Sequence, residues 1–245
     1  MNLIIDIGNT CTKIAVIDNS NIIFNTRFEK LEISDIQALI TKYEINKCIL
    51  SSTVKLNENY KNIFDTNGIK ILYFNHKTKI PIKNLYHSPE TLGMDRLASV
   101  IGAYNKYPQN NILVIDMGTA ITYDFINSNG EYLGGNISPG INMRLNALNH
   151  YTSKLPLIQK EGAVTDLGYN TETAIRSGVL NGIKHEINGF INSLKVKYSN
   201  LFVFLTGGDT LYFDSSVKNC TFVDDFLVIE GLNTVLEYVN ENDYE

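Results

Sequence analysis

Two stretches are apolar at every consecutive position, Leu3-Ile4-Ile5 and Leu113-Val114-Ile115. A strand covered on both faces reads this way, because no polar residue alternates along it. Each run enters Asp-x-Gly and then a second strand-like run, Lys13 to Ile17 in one case and Thr122 to Ile126 in the other. Turn residues follow, Asp18-Asn19 and Ser128-Asn129-Gly130, and then returning runs at Ile22-Ile23-Phe24 and Tyr132-Leu133-Gly134-Gly135. The pattern predicts that each half opens as an antiparallel meander. The first copy begins at residue 3 and the second at residue 113, an offset of 110 in a chain of 245.

Strand and helix signals then alternate. Ser34-Asp35-Ile36-Gln37 reads as a capping box, followed by a helical stripe of Ile36, Leu39, Ile40 and Tyr43. Cys48 to Leu50 and Ile69 to Phe74 are predicted strands, with a helix near Glu58 to Phe64 between them. A helix over about residues 91 to 104 carries the stripe Met94, Leu97, Ile101 and Tyr104. In the second half, Asn170 or Thr171 caps a long helix whose stripe is Leu180, Ile183, Ile187, Ile191 and Leu194. Leu201 to Leu205 is a buried strand running into Thr206-Gly207-Gly208-Asp209, and a last helix spans about Leu232 to Tyr238. This order implies an α/β protein with mixed sheets flanked by helices. The polar break at Pro108-Gln109-Asn110 divides it into domains 1–109 and 110–245.

Composition narrows the function classes. With 44% hydrophobic and 19% charged residues the chain has enough apolar material for two cores. A net charge of −5 argues against nucleic acid or an anionic membrane as main partner. Asp6 and Lys13 interrupt the apolar start, so it does not read as a signal peptide, and no later stretch is long enough to span a bilayer. Cys11, Cys48 and Cys220 are scattered and lack CxxC spacing, which fits reduced thiols in a cytoplasm. His76, His87, His150 and His185 show no ligand spacing. Neither the P-loop nor the dinucleotide fingerprint occurs.

The Asp-x-Gly turns are the candidate chemistry. Gly8 and Gly118 permit close backbone approach to a bulky anion, and Asn9, Thr10, Thr12 and Lys13 add donors, a set suited to phosphate oxygens. Lys13 offers a cation to the outer phosphates and Asp6 a ligand, directly or through water, for Mg²⁺. A single such turn reads first as a solvated hairpin whose Asp and Asn stabilise the turn. Two copies and a third Gly-rich turn, Thr206 to Asp209, are not explained by core packing. Asp95 lies off the buried helical stripe, near a helix start where the dipole favours negative charge; by itself it reads first as an ordinary helix-start residue.

The ordered set Asp6 to Lys13, Gly93-Met94-Asp95-Arg96, Asp116-Met117-Gly118-Thr119-Ala120-Ile121-Thr122, Gly134 to Gly140 and Thr206 to Asp209 resembles type III pantothenate kinase. That family lies within the actin-like ATPase and sugar-kinase superfamily. The resemblance implies two ribonuclease-H-like domains with a nucleotide cleft between them, and ATP-dependent phosphorylation of pantothenate to 4′-phosphopantothenate, the first step of coenzyme A biosynthesis. It implies Asp95 as proton acceptor. ATP would be held by Asp6, Ile7, Gly8, Asn9, Thr10, Cys11, Thr12, Lys13 and Thr119. Pantothenate would be held by Tyr86, Gly93, Met94, Asp95, Arg96 and Thr171. Asp116 would bind K⁺ or NH₄⁺, and the enzyme would be a cytoplasmic homodimer. Met94 departs from the small residue common at its position, and the helical stripe points it into the core. The rival readings are a sugar or acetate kinase of the same superfamily and a non-catalytic nucleotide-binding regulator.

Overall fold

The computed structural model describes residues 1–53, 59–213 and 221–242. The elements are β1 (Asn2–Ile7), β2 (Thr12–Asp18), β3 (Asn21–Phe28), α1 (Ile33–Lys42), β4 (Lys47–Ser52), α2 (Asn59–Thr66), β5 (Lys70–Tyr73) and β6 (Lys83–Asn84). After them come α3 (Met94–Lys106), β7 (Asn111–Met117), β8 (Ala120–Ile126), β9 (Glu131–Pro139), α4 (Ile141–His150), α5 (Thr171–Lys197), β10 (Leu201–Thr206), β11 (Phe222–Val223) and α6 (Leu227–Asn242). Glu58 and Cys220 lie outside the described residues.

Contacts group the chain into two units: Met1–Pro108 with Gly130–Leu133 and the segment from Phe226, and Gln109–Asn129 with Gly134–Asp225. The break after Pro108 falls beside the expected 109/110 division, but α6 groups with the first unit, where the sequence reading puts it in the second. Two glycines explain its position. A Cβ at Gly231 of α6 would overlap the Ala98 carbonyl oxygen, and one at Gly102 of α3 would overlap the Leu227 carbonyl oxygen. Helices α3 and α6 therefore pack backbone to backbone, burying Leu227, Val228, Leu232 and Val235. The Asn2 side chain donates to Asn233 Oδ1 at 2.8 Å and Lys106 pairs with Glu230 at 2.7 Å, both within this unit.

The first sheet runs β3-β2-β1-β4-β5. β1 pairs antiparallel with β2 and parallel with β4. One face, with Leu3, Ile5, Ile14, Val16, Cys48 and Leu50, packs on Ile36, Leu39 and Phe64. Helices α3 and α6 pack on strands of the same sheet. The capping box of α1 joins Glu32 and Asp35, two residues before the predicted start, with the Glu32 N–H donating to Asp35 Oδ2 at 2.9 Å. Burial of Cys48 pushes its thiol pKa up, which keeps it protonated and inert.

In the second unit β7 repeats the role of β1: antiparallel to β8 and parallel to β10. Leu113, Ile115, Met117, Tyr123, Val203 and Leu205 form its core with Ile183, Ile187 and Ile191 of α5. The predicted stripe of that helix is the buried one, and Asn170 caps it by accepting the Thr173 N–H at 2.8 Å.

Candidate active site

The first hairpin turns between Ile7 and Thr12, its strands in register with Asp6 opposite Lys13. The Gly8 N–H donates to the Cys11 carbonyl at 3.0 Å, and a Cβ at Gly8 would stand only 3.1 Å from that oxygen. Asn9 and Thr10 are exposed at the tip, while Ile7, Cys11 and Lys13 are half-buried. Thr12 is different. Its side chain is buried, on the face of β2 opposite to Lys13, so strand alternation turns its hydroxyl away from the lysine's side.

Within the same unit, α3 begins at Met94 with Gly93 as its N-cap. The Asp95 carboxylate folds back over the cap, Oδ1 accepting the Arg96 N–H at 2.9 Å. A Cβ at Gly93 would lie 2.5 Å from that Oδ1, so glycine at 93 is what leaves room for the carboxylate. Met94 is half-buried at the first helical position rather than enclosed in the core as expected: the helix starts too late for residue 94 to reach the fully packed turns. From Arg96 to Ala103 every residue is buried, so α3 is enclosed all round rather than along one stripe. Arg96, 7% exposed, sets its guanidinium 5.9 Å from the Tyr86 ring centroid, and Tyr86 in turn lies 6.1 Å from the Tyr132 ring. The structure thus unites Tyr86 with Arg96, ten residues apart in sequence.

The second unit gathers three separate glycine motifs onto one turn. Gly118 donates its N–H to the Ala120 carbonyl at 3.1 Å, closing the hairpin that carries Asp116 and Thr119. Gly140 donates to the Thr119 carbonyl at 3.1 Å, and a Cβ there would overlap the Gly118 and Thr119 carbonyl oxygens. Gly207, at φ +100°, lies against Asp116 Oδ1 and the Met117 backbone so closely that no side chain fits. Asp209 then donates its N–H to the Met117 carbonyl at 2.9 Å. Thr171, the first residue of α5, is exposed, and the cap is Asn170 instead.

Two polar clusters escaped sequence reasoning. Lys160 pairs with Asp209 at 2.5 Å, tying the segment after α4 to the third glycine turn. Burial lowers the Lys160 pKa, but the hydrogen bond and charge of Asp209 outweigh it and hold the ammonium above its ordinary value. Arg144 donates to Glu186 Oε2 at 2.7 Å, to Ser138 Oγ at 2.8 Å and to the Pro139 carbonyl at 2.8 Å, fixing the residues just before Gly140. Burial raises the Glu186 carboxyl, yet hydrogen bonds from Arg144, Tyr123 and Ser138 prevail and hold it below the usual carboxylate range. The two ion pairs, Arg144 with Glu186 and Lys160 with Asp209, join residues 42 and 49 apart, with no spacing signal to link them.

A family model described as type III pantothenate kinase matches residues 2–193. The type III pantothenate kinase of Bacteroides fragilis strain YCH46 is 46% identical over 240 residues, covering 98% of this chain and 99% of the relative. The chain belongs to the type III pantothenate kinase family. A second member, from Phocaeicola vulgatus, is 44% identical over 238 residues, 97% of this chain and 98% of its own. Among solved structures, MreB5 of Spiroplasma citri bound to ADP matches with a TM-score of 0.53 at 13% identity, covering 100% of this chain and 98% of that one. That likeness shows the fold, which is the actin-like ATPase and sugar-kinase fold. The family is one of kinases, so the glycine turns and Asp95 belong to a phosphoryl-transfer enzyme.

A small change at the cap isolates the role of Gly93. Gly93→Ala is expected to displace the Asp95 carboxylate and, with Asp95 as the proton acceptor that the family resemblance implies, to lower kcat by roughly tenfold to a hundredfold, the cost of a misplacement of about 1 Å. Steady-state kinetics beside a melting curve check it: turnover falls while the melting temperature moves by no more than a few degrees.

Proposed function

We propose that this chain transfers the γ-phosphoryl group of ATP to the primary hydroxyl of pantothenate, the first step of coenzyme A biosynthesis. The supporting observation is the Gly93-to-Arg96 helix start: a carboxylate held over a glycine cap, followed by a buried guanidinium packed on Tyr86. Asp95 takes the hydroxyl proton as the oxygen attacks phosphorus and orients that oxygen for in-line transfer. Arg96, fixed by burial and by the Tyr86 ring, holds the pantothenate carboxylate. Tyr86, Gly93, Met94 and Thr171 complete the pantothenate contacts. The turn from Asp6 to Lys13 carries the ATP phosphates, with Lys13 as the cationic side chain, and Thr119 contacts the nucleotide from the second hairpin.

The donor atoms fit the cations this chemistry uses. Asp6, 6% exposed, shares its sheet face with Lys13 and Ser51, so its neighbours there are a cation and a hydroxyl. One carboxylate beside substrate phosphates is a typical Mg²⁺ arrangement. Asp116 pairs in register with Thr206 on β10, and its carboxylate meets Gly207 beside the Met117 backbone; a carboxylate with hydroxyl and carbonyl oxygens nearby suits K⁺ or NH₄⁺. When bound, these cations offset the charge that develops on the phosphates. We further infer a homodimer working in the cytoplasm, with neither nucleic acid nor membrane as partner. Among the described residues no helix is long and apolar enough to cross a membrane.

The test is ADP release from ATP and Mg²⁺ with pantothenate, a hexose or acetate as acceptor, in K⁺ or Na⁺ buffer. Release that requires pantothenate and is faster in K⁺ supports the reading. Release with hexose or acetate replaces the substrate, and nucleotide binding without release on any acceptor makes the chain a regulator.

A further inference from the structure

Each half hides a hydroxyl beside its hairpin aspartate. Ser51 of β4 is 0% exposed and Thr206 of β10 is 1% exposed. Among the described residues, neither Ser51 Oγ nor Thr206 Oγ1 has a hydrogen-bond partner. Burying a hydroxyl without a partner is unfavourable, so such groups are few in native proteins and point to a ligand or to water.

Their positions are equivalent in the two halves. Asp6 pairs in register with Ser51 on the neighbouring parallel strand, and Asp116 pairs with Thr206 on its own parallel neighbour. Residues in register on adjacent strands project from the same face, so each hydroxyl stands beside its carboxylate. Both pairs also lie at the carboxyl ends of parallel strands, the edge at which open α/β sheets take ligands. Core packing alone does not produce this repetition, since Val, Ala or Cys fills a buried strand position of that size without an unsatisfied oxygen.

We propose that Ser51 and Thr206 are shell residues for the two cations. The Ser51 hydroxyl hydrogen-bonds water in the hydration shell of the Mg²⁺ beside Asp6. The Thr206 hydroxyl supplies an oxygen to the monovalent cation beside Asp116. This inference rests on the reading of Asp6 and Asp116 as cation-facing carboxylates. Its chemistry is that of hard cations: Mg²⁺ keeps several waters that need outer partners, and K⁺ takes neutral oxygens readily.

The test reads binding and stability rather than turnover. Melting temperature without ligands, and calorimetric ADP affinity with MgCl₂ or with EDTA, are measured for wild type, Ser51→Ala and Ser51→Thr. The same is done for Thr206→Val with KCl or NaCl. Ser51→Ala is expected to leave the ligand-free melting temperature unchanged or slightly raised, because it removes an unsatisfied polar atom. It is expected to weaken ADP binding in Mg²⁺ by about tenfold or more and leave binding in EDTA unchanged. Ser51→Thr, which keeps a hydroxyl, retains the Mg²⁺ dependence. Thr206→Val is expected to abolish the gain in affinity that K⁺ gives over Na⁺. A ligand-free melting temperature that drops by several degrees in Ser51→Ala, with Mg²⁺ dependence intact, shows a structural hydroxyl and overturns the proposal. Wild-type ADP binding that ignores both Mg²⁺ and K⁺ overturns the reading of the carboxylates as well.

Discussion

Asp95→Asn is expected to lower kcat by about 10² to 10⁴-fold, the usual contribution of a positioned proton acceptor, with KM values for ATP and pantothenate changed only slightly. The amide oxygen of asparagine still accepts the Arg96 N–H that Asp95 Oδ1 accepts at 2.9 Å, so the first turn of α3 keeps its geometry. The side chain also stays the same size beneath the Gly93 cap. What disappears is the capacity to take a proton. Steady-state kinetics and a melting curve decide the matter together. A large fall in kcat at constant stability supports a proton acceptor. A fall in melting temperature that matches the loss of activity makes Asp95 a structural residue at a helix start.

The second large effect is on stability. Gly231→Ala places a methyl group into the Ala98 carbonyl oxygen, with the Gly102 backbone nitrogen 2.9 Å away. Those neighbours are backbone, so neither helix yields by a rotamer change and the α3–α6 spacing must open. Overpacking of this kind costs about 1–3 kcal/mol or more, and each kcal/mol lowers the melting temperature of a protein this size by about 2–4 °C. Activity falls too, because α3 carries Asp95 at its start. Gly182→Ala and Gly189→Ala on α5 are the matched controls: a Cβ at either meets nothing within 4 Å. In a helix interior each is expected to stabilise by about 0.5–1 kcal/mol. Thermal denaturation of the three variants distinguishes close helix packing from a general dislike of alanine at glycine positions.

The sequence made the repeated plan legible because both signals are local. A both-faces-apolar strand followed by Asp-x-Gly needs no knowledge of distant neighbours, and the strands at Leu3 and Leu113 stand where the pattern puts them. The α5 stripe was equally legible, since Ile183, Ile187 and Ile191 recur at helical spacing and are all fully buried. Features set by tertiary partners were not. Nothing near Leu227 announces that α6 will lie on α3; that depends on glycines at 102 and 231, far apart in the chain. Met94 continues a helical stripe in sequence but falls before the enclosed part of α3. At the candidate site the motifs named Asp6, Gly93, Asp95 and Asp116. The reasons for the glycines emerged only in three dimensions: Gly93 clears a carboxylate, while Gly140 and Gly207 close onto the second hairpin. Ser51 carried no signal because a serine at a strand end is unremarkable until its register with Asp6 is known.

Phosphorus NMR of the products formed from ATP, Mg²⁺, K⁺ and pantothenate, with Asp95→Asn run alongside, identifies both the acceptor and the role of the carboxylate. A phosphomonoester at the primary hydroxyl of pantothenate, equimolar with ADP, is expected from the wild type and almost none from the variant. Inorganic phosphate without the phosphomonoester, or equal phosphomonoester from both proteins, contradicts those assignments.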